Sequence, residues 1–371
     1  MIRYLFLLLI FSTKLHAQDS DSLLPYILQL ENDTEKVNQL YNTGYALRNK
    51  DPQLAYRFAK YCEEFALKSN SQKHLAKSYN LLGVLFYKKG DLKKAMNYHQ
   101  LALKLREINK DDLGMGFSLT NLGNIYTDLA IIYSDLKLFS KAENCYLQAI
   151  EDYNRVNDKK RIADCLMNLG VLKQNQNQYN AAYENYSVAF NIGKQINDYE
   201  IESNCLNNLA QIFSDKGDFE KAIAFNEDAL KIRDLMEDEL GMADSYLSLS
   251  EIYLKQKAIE EAAKFLLLAK NISDKNDYFD GKLLVLKFSS QLNVLQNNYK
   301  AAYDEINKYC FLKDSLMKSN KEIQNQFNFD ENISLVSEKV KSTNGIQNLW
   351  LLIILMALLV LIPLTLTRYT R

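Results

Sequence analysis

The sequence predicts an all-α fold: a row of about seven helix hairpins, followed by one strongly apolar helix near the C-terminal end. Three observations carry this. Small residues recur at Ala55, Ala95, Ala142, Ala182, Ala222, Ala262 and Ala302, at intervals of 40, 47, 40, 40, 40 and 40. A fixed internal period marks stacked supersecondary units. Apolar residues fall at helical spacing on both sides of each turn signal. Only three prolines and 12 glycines punctuate 371 residues, which suits long helices joined by short turns.

The stretch Asn207–Leu230 shows one unit whole. Leu206, Leu209, Ala210 and Phe213 line one face of a first helix. Gly217-Asp218 breaks it. Phe219, Ala222, Ile223, Ala229 and Leu230 form the apolar face of a second helix. Other first helices carry Leu82-Gly83, Leu122-Gly123, Leu169-Gly170 and Leu249-Ser250, with Phe86, Tyr126, Phe213 and Tyr253 after the small residue. Lys173 departs from that pattern. Second helices carry a further Cys62, Ala102, Ala149, Ala189, Ala229, Ala269 or Tyr309 seven residues after the alanine. Leu92, Phe139, Tyr179, Phe219, Ile259 and Tyr299 precede it by three and plug the helix start. Gly90, Asn177, Gly217 and Asn297 hold the turns, where a left-handed backbone is cheap for Gly or Asn. Lys137 and Lys257 replace them in two units, so those turns are expected to differ. The first unit is degenerate, with Asp51-Pro52 as N-cap and first helical residue.

This pattern, Leu-Gly, aromatic, Gly, Ala, then Ala-Leu, resembles the tetratricopeptide repeat (TPR) over Thr34–Leu312. The 40-residue period resembles the longer-helix TPR subclass of kinesin light chains. The resemblance implies a TPR-type α-solenoid with first helices lining a concave surface.

The single 47-residue interval has a visible cause. Asn124–Ala130 is nearly duplicated by Ile131–Lys137. Seven residues are about two helical turns, so the apolar face is kept almost in register. The expectation is a first helix two turns longer than its neighbours, jutting from the solenoid.

The ends set the expected topology. Met-Ile-Arg, the apolar run Tyr4–Phe11 and Ala17 read as a signal peptide over residues 1–17. The solenoid occupies residues 18–312, a charged helix or stalk residues 313–345, a transmembrane helix residues 346–367, and a cytoplasmic tail residues 368–371. Leu349–Leu366 is long and apolar enough to span a bilayer, Trp350 suits an interface, and Arg368 and Arg371 place that end in the cytoplasm. The expected location is a single pass through a bacterial inner membrane with the solenoid exported. A coiled coil in the stalk has little heptad support.

Net charge is −1, which gives no argument for nucleic acid. Cys62, Cys145, Cys165, Cys205 and Cys310 show no metal-ligand spacing, and Cys165 and Cys205 read as small buried hydrophobes. No nucleotide, hydrolase or metalloprotease motif occurs, so no enzyme, cofactor, catalytic residue or metal site is expected. His99 falls at a packing position, as core or groove wall.

The recognition candidates are carboxamides on first helices: Asn121, Asn124, Asn168, Asn207, Asn208 and Gln211. A carboxamide both donates and accepts, so a row of them can pair with the main chain of an extended peptide. Asn207–Ala210 matches an Asn-Asn-Leu-Ala motif of kinesin light chains, and that resemblance implies peptide binding through such asparagines. The competing reading is that these residues bond neighbouring helices. Two functions stand. One is a membrane-anchored, exported module that binds protein or peptide in its groove. The other follows a resemblance to the exported sensor half of membrane-bound TPR histidine kinases and regulators. No kinase or DNA-binding output follows the span, so that output is missing or on a separate signalling partner.

Overall fold

The computed structural model describes residues 17–30 and 32–326. Among them are fifteen helices and no strand. We number them α1 (Ala17–Leu28), α2 (Asp33–Leu47), α3 (Pro52–Lys68), α4 (Gln72–Lys88), α5 (Leu92–Asn109), α6 (Asp112–Tyr133), α7 (Leu136–Arg155), α8 (Lys159–Asn175), α9 (Tyr179–Ile196), α10 (Tyr199–Asp215), α11 (Phe219–Leu235), α12 (Glu239–Gln256), α13 (Ile259–Lys275), α14 (Phe279–Leu295) and α15 (Tyr299–Gln326). From α2 onward they pair into seven hairpins, even numbers first and odd numbers second. The described helices up to Cys310 form one compact unit, and the part of α15 from Phe311 onward falls outside it. The predicted signal peptide up to residue 16, the stalk beyond Gln326, and the apolar stretch Leu349–Leu366 lie outside the described residues. Among the described residues no helix is long and apolar enough to cross a membrane.

Local chemistry sets the helix ends. Asp51, Asp91, Asp111, Asp135, Asp158, Asp198, Asp218 and Asp238 are N-caps, each accepting a backbone N–H two or three residues on. This satisfies an orphan donor of the first turn. Turns within the last six hairpins pass through left-handed residues Gly90, Ser134, Asn177, Gly217, Lys257 and Asn297. Turns between hairpins do the same at Asn70, Lys110, Asn157, Asn197, Glu237 and Asp277. Lys257 was expected to mark an unusual turn, but its φ of 61° matches the others. The helices on either side fix the turn, and a lysine is forced into it.

Within each hairpin the helices close on small residues. A Cβ added to Gly170 would lie 2.3 Å from Tyr186 Cε1, and one on Gly123 would lie 2.6 Å from Tyr146 Cε1. His99 covers Gly83 in the same way and is 1% exposed. Its imidazole pKa is pushed down to about 3 by burial, with Arg106 adding to the effect. Ser250 and Ser290 instead donate to the facing carbonyls of Ala262 and Ala302, at 3.0 and 2.9 Å. Ala142, Ala149, Ala182, Ala189, Ala222 and Ala229 are all fully buried, as the period requires.

The third repeat corrects an expectation. The seven extra residues do not extend one helix by two turns. Ile131–Tyr133 is helical, but the left-handed turn falls at Ser134 and Asp135 caps α7 by accepting from Lys137 N–H at 2.8 Å. The helix α6 has 22 residues against 17 in α8, and α7 has 20 against 18 in α9. The first arm gains five residues, about one and a half turns, and the second gains two, about half a turn. The physical reason is local: Ser134 takes the left-handed turn and Asp135 caps α7, so the insertion is divided between the two arms instead of extending one. Lys137 therefore lies inside α7 and not in the turn. The lengthened tip leaves Ile132, Tyr133 and Leu136 exposed.

The Gly170–Tyr186 contact gives a test. Gly170→Ala is expected to destabilise the fold by about 1–2 kcal/mol, because overpacking costs more than the gain in helix propensity. In a Tyr186→Leu background the same change is expected to be neutral or stabilising by up to about 1 kcal/mol. Denaturant midpoints of the four variants measure this. Equal effects of Gly170→Ala in both backgrounds would contradict the packing account.

Candidate functional site: the inner wall of first helices

First helices of successive repeats touch one another along the whole described row, whereas second helices make no comparable contact among the described residues. The first helices therefore form the inner wall of a curved array. Polar side chains bridge neighbours along this wall. Lys77 Nζ donates to Asn38 Oδ1 at 3.0 Å, joining α4 to α2. Tyr87 OH donates to Asp128 Oδ2 at 2.7 Å, joining α4 to α6. Asp215 accepts from three helices: Gln174 Nε2 of α8 at 3.0 Å, Gln211 Nε2 of α10 at 3.0 Å and Lys255 Nζ of α12 at 3.1 Å.

The six candidate carboxamides are all half-buried on these first helices. The structure divides them. Asn121 Nδ2 donates to Asn80 Oδ1 at 3.3 Å, bonding α6 to α4. Asn124 Oδ1 accepts from Tyr146 OH at 2.7 Å, within its own hairpin. Asn207 Oδ1 accepts from Ser245 Oγ at 3.3 Å. Gln211 is committed to Asp215. Asn168 and Asn208 have no side-chain hydrogen bond to any described residue. They are 40 positions apart and equivalent in α8 and α10. Each presents an unused donor and an unused acceptor.

Two residues that the sequence reading passed over fasten the wall from behind. Arg106 of α5 is 4% exposed, and its Nη1 donates to Gly114 O at 2.8 Å and Ser118 Oγ at 2.7 Å of the next first helix. Arg233 of α11 is 3% exposed and repeats the arrangement with Gly241 O at 2.7 Å and Ser245 Oγ at 2.6 Å. Arg233 Nη2 also reaches Asn204 Oδ1 on the preceding first helix at 2.8 Å. Burial lowers both guanidinium pKa values, and nearby Asp111 (for Arg106) or Asp244 and Asp238 (for Arg233) oppose that. A signal was present in the sequence: Arg106, Asp111, Gly114 and Ser118 recur at identical spacing as Arg233, Asp238, Gly241 and Ser245.

Burial is the main cause of shift for several inward-facing groups. It pushes the Asp164 and Asp244 carboxyls up and the Lys77 ammonium down. Cys62, Cys165 and Cys205 thiols are pushed up to about 12 by burial, so they stay protonated and act as packing residues. Among the described residues no group of three or more His, Cys, Asp and Glu is placed to hold a metal ion. An open recess of about 500 Å³ lies where α8 and α10 end, lined by Val171, Gln174, Asn175, Asn177, Tyr179 and Asp215.

Arg233→Met is expected to cost about 2–4 kcal/mol, since it strands three buried or half-buried acceptors. The loss should appear in hydrogen exchange as faster opening of α11 and α12, with α4 and α5 unaffected. Uniform loss of protection across all repeats would show that Arg233 is not a local fastener.

Three family models described as Tetratricopeptide repeat match residues 76–109, 122–159 and 161–234. No curated protein matches the sequence. Among solved structures, a Rap protein complexed with competence and sporulation factor aligns with 18% identity and a TM-score of 0.60, over 80% of each chain. The apo form of RapI aligns with 15% identity and a TM-score of 0.61, over 76% of this chain and 99% of that one. The Rap conjugation gene regulator of plasmid pLS20, in complex with the Phr* peptide, aligns with 14% identity and a TM-score of 0.57, over 78% of each. At these identities the likeness is one of fold. These matches support the repeat and lend nothing to the resemblance to membrane-bound kinases. The chain carries tetratricopeptide repeats over the residues these models match.

Proposed function

We propose that the solenoid is a binding module that holds an extended peptide or protein segment along its inner wall. The observation that carries this is the pair Asn168 and Asn208. In a wall where neighbouring carboxamides are bonded to the fold, these two are left with free hydrogen-bonding capacity at equivalent positions of adjacent repeats. One repeat step along the wall is roughly 10 Å, about three residues of extended chain. Two such carboxamides can therefore pair with the main chain at intervals, as a sheet edge would. The fold likeness to Rap proteins solved with a competence and sporulation factor and with a Phr* peptide supports a peptide reading. The role is binding, with no catalytic step.

The same proposal places the module on the exported side of an inner membrane, anchored by Leu349–Leu366. Support comes from the sequence of the two ends. A second reading, the input half of a signalling system with its output on another chain, shares this placement and the same groove.

Binding is tested with peptides selected from a display library against the protein. Asn168→Ala combined with Asn208→Ala is expected to change stability by less than about 0.5 kcal/mol, because neither side chain bonds the fold. It is expected to weaken the selected peptide tenfold or more, at about 1 kcal/mol per lost hydrogen bond. Unchanged affinity in the double variant would remove these residues from the site. Placement is tested by protease digestion of sealed inner-membrane vesicles of known orientation. The solenoid should be cut only when the periplasmic face is accessible, and cutting from the cytoplasmic face would overturn the topology.

A further inference from the structure

The free carboxamides Asn168 and Asn208 share one place in the repeat, two residues before the small residue of the first helix. The same place is held by Asn121 on α6, Ser248 on α12 and Phe288 on α14. Asn121 is bonded to Asn80. Phe288 is buried in the core between the last two hairpins. Ser248 is half-buried on the wall, as Asn168 and Asn208 are. Its one side-chain hydrogen bond to a described residue comes from behind, where Asn226 Nδ2 of α11 donates to Ser248 Oγ at 3.0 Å. A second contact fixes the direction of that bond. The same Asn226 nitrogen lies 3.3 Å from Ala222 O, which can only accept, so this end of the amide carries the N–H groups. Ser248 Oγ therefore accepts, and its own hydrogen has no acceptor among the described residues. Asn226 is fully buried, and its Oδ1 has no partner among the described residues. Neighbouring hairpins place Tyr146, Tyr186 and Leu266 at the equivalent buried position. An amide with a stranded oxygen is costly there. What it does that leucine could not is hold Ser248.

We propose that Ser248 is a third contact in the row and that Asn226 positions it. With its oxygen pinned by the amide, the Ser248 hydroxyl donates to a main-chain carbonyl of the bound segment. The inference rests on the peptide reading above and deepens it. The row then has three members, Asn168, Asn208 and Ser248. It is closed at one end by Asn121, whose amide is spent on Asn80, and at the other by apolar, buried Phe288. Two first-helix steps of roughly 10 Å make roughly 20 Å, the reach of about six residues of extended chain. The three members differ in what they read. Asn168 and Asn208 can each pair with a main-chain N–H and a main-chain carbonyl, whereas Ser248 brings a donor and so requires a carbonyl. That carbonyl lies about three residues beyond the group paired with Asn208.

The test uses a peptide enriched from a random 14-residue display library against the full chain in detergent micelles, with bare micelles as control. Ser248→Ala is expected to weaken that peptide about three- to tenfold, the loss of one neutral hydrogen bond. Asn226→Leu gives α11 the residue that α13 carries at the equivalent position, so the fold should hold, checked by the denaturant midpoint. It is expected to weaken the peptide about two- to fivefold when Ser248 is present and not at all in a Ser248→Ala background. A structural role alone would weaken binding equally in both backgrounds. Equal weakening, or none in either, overturns the positioning role of Asn226. Full affinity in Ser248→Ala, for a peptide that Asn168→Ala with Asn208→Ala weakens, overturns the inference and leaves the peptide reading standing. No enrichment over bare micelles overturns the peptide reading and this inference with it.

Discussion

The whole array depends on how closely the two helices of a hairpin approach. A missing side chain on the first helix receives a ring from the second: Gly83 takes His99, Gly123 takes Tyr146 and Gly170 takes Tyr186. Fully buried alanines on the second helix do the same from the other side. Close approach buries both apolar stripes and leaves little room for alternative registers. Where the small residue becomes serine, its hydroxyl bonds a facing carbonyl, so proximity is kept by a different device.

Stacking hairpins is a separate task, and the chain solves it with polar fasteners as well as apolar surface. Arg106 and Arg233 each cross from a second helix to the next first helix and bond a glycine carbonyl and a serine hydroxyl there. Glycine at that point brings the backbone carbonyl within reach of a buried guanidinium. The fork geometry of arginine suits two acceptors at once. Because first helices touch and second helices spread apart, each stacking step bends the array the same way and leaves the first helices lining its inner face.

That bend decides which polar groups are structural and which are left over. Side chains at the seams between first helices find each other: Asn121 with Asn80, Asn207 with Ser245, and Gln211 and Gln174 with Asp215. Only Asn168 and Asn208 among the carboxamide candidates remain without a bond to the fold. Six residues of one chemical type thus fall into two functional groups because of their neighbours, not because of their own sequence positions.

The sequence by itself determined the class of fold, the seven hairpins, the turn positions of the units that keep the 40-residue spacing, and the residues of the apolar faces. These are local properties, repeated every 40 residues, and repetition makes weak local signals add up. Residues that recur in register, such as Ala182, Ala222 and Ala262, needed no knowledge of their neighbours. Tertiary structure decided where the seven inserted residues went, by placing the left-handed turn at Ser134 and the helix cap at Asp135. It also decided which carboxamides stay free and showed that Arg106 and Arg233 are buried fasteners. The bonded carboxamides at the seams depend on partners about one repeat away in sequence, and the arginines on partners 8 and 12 residues further on in the next hairpin, and only stacking brings these within hydrogen-bonding distance.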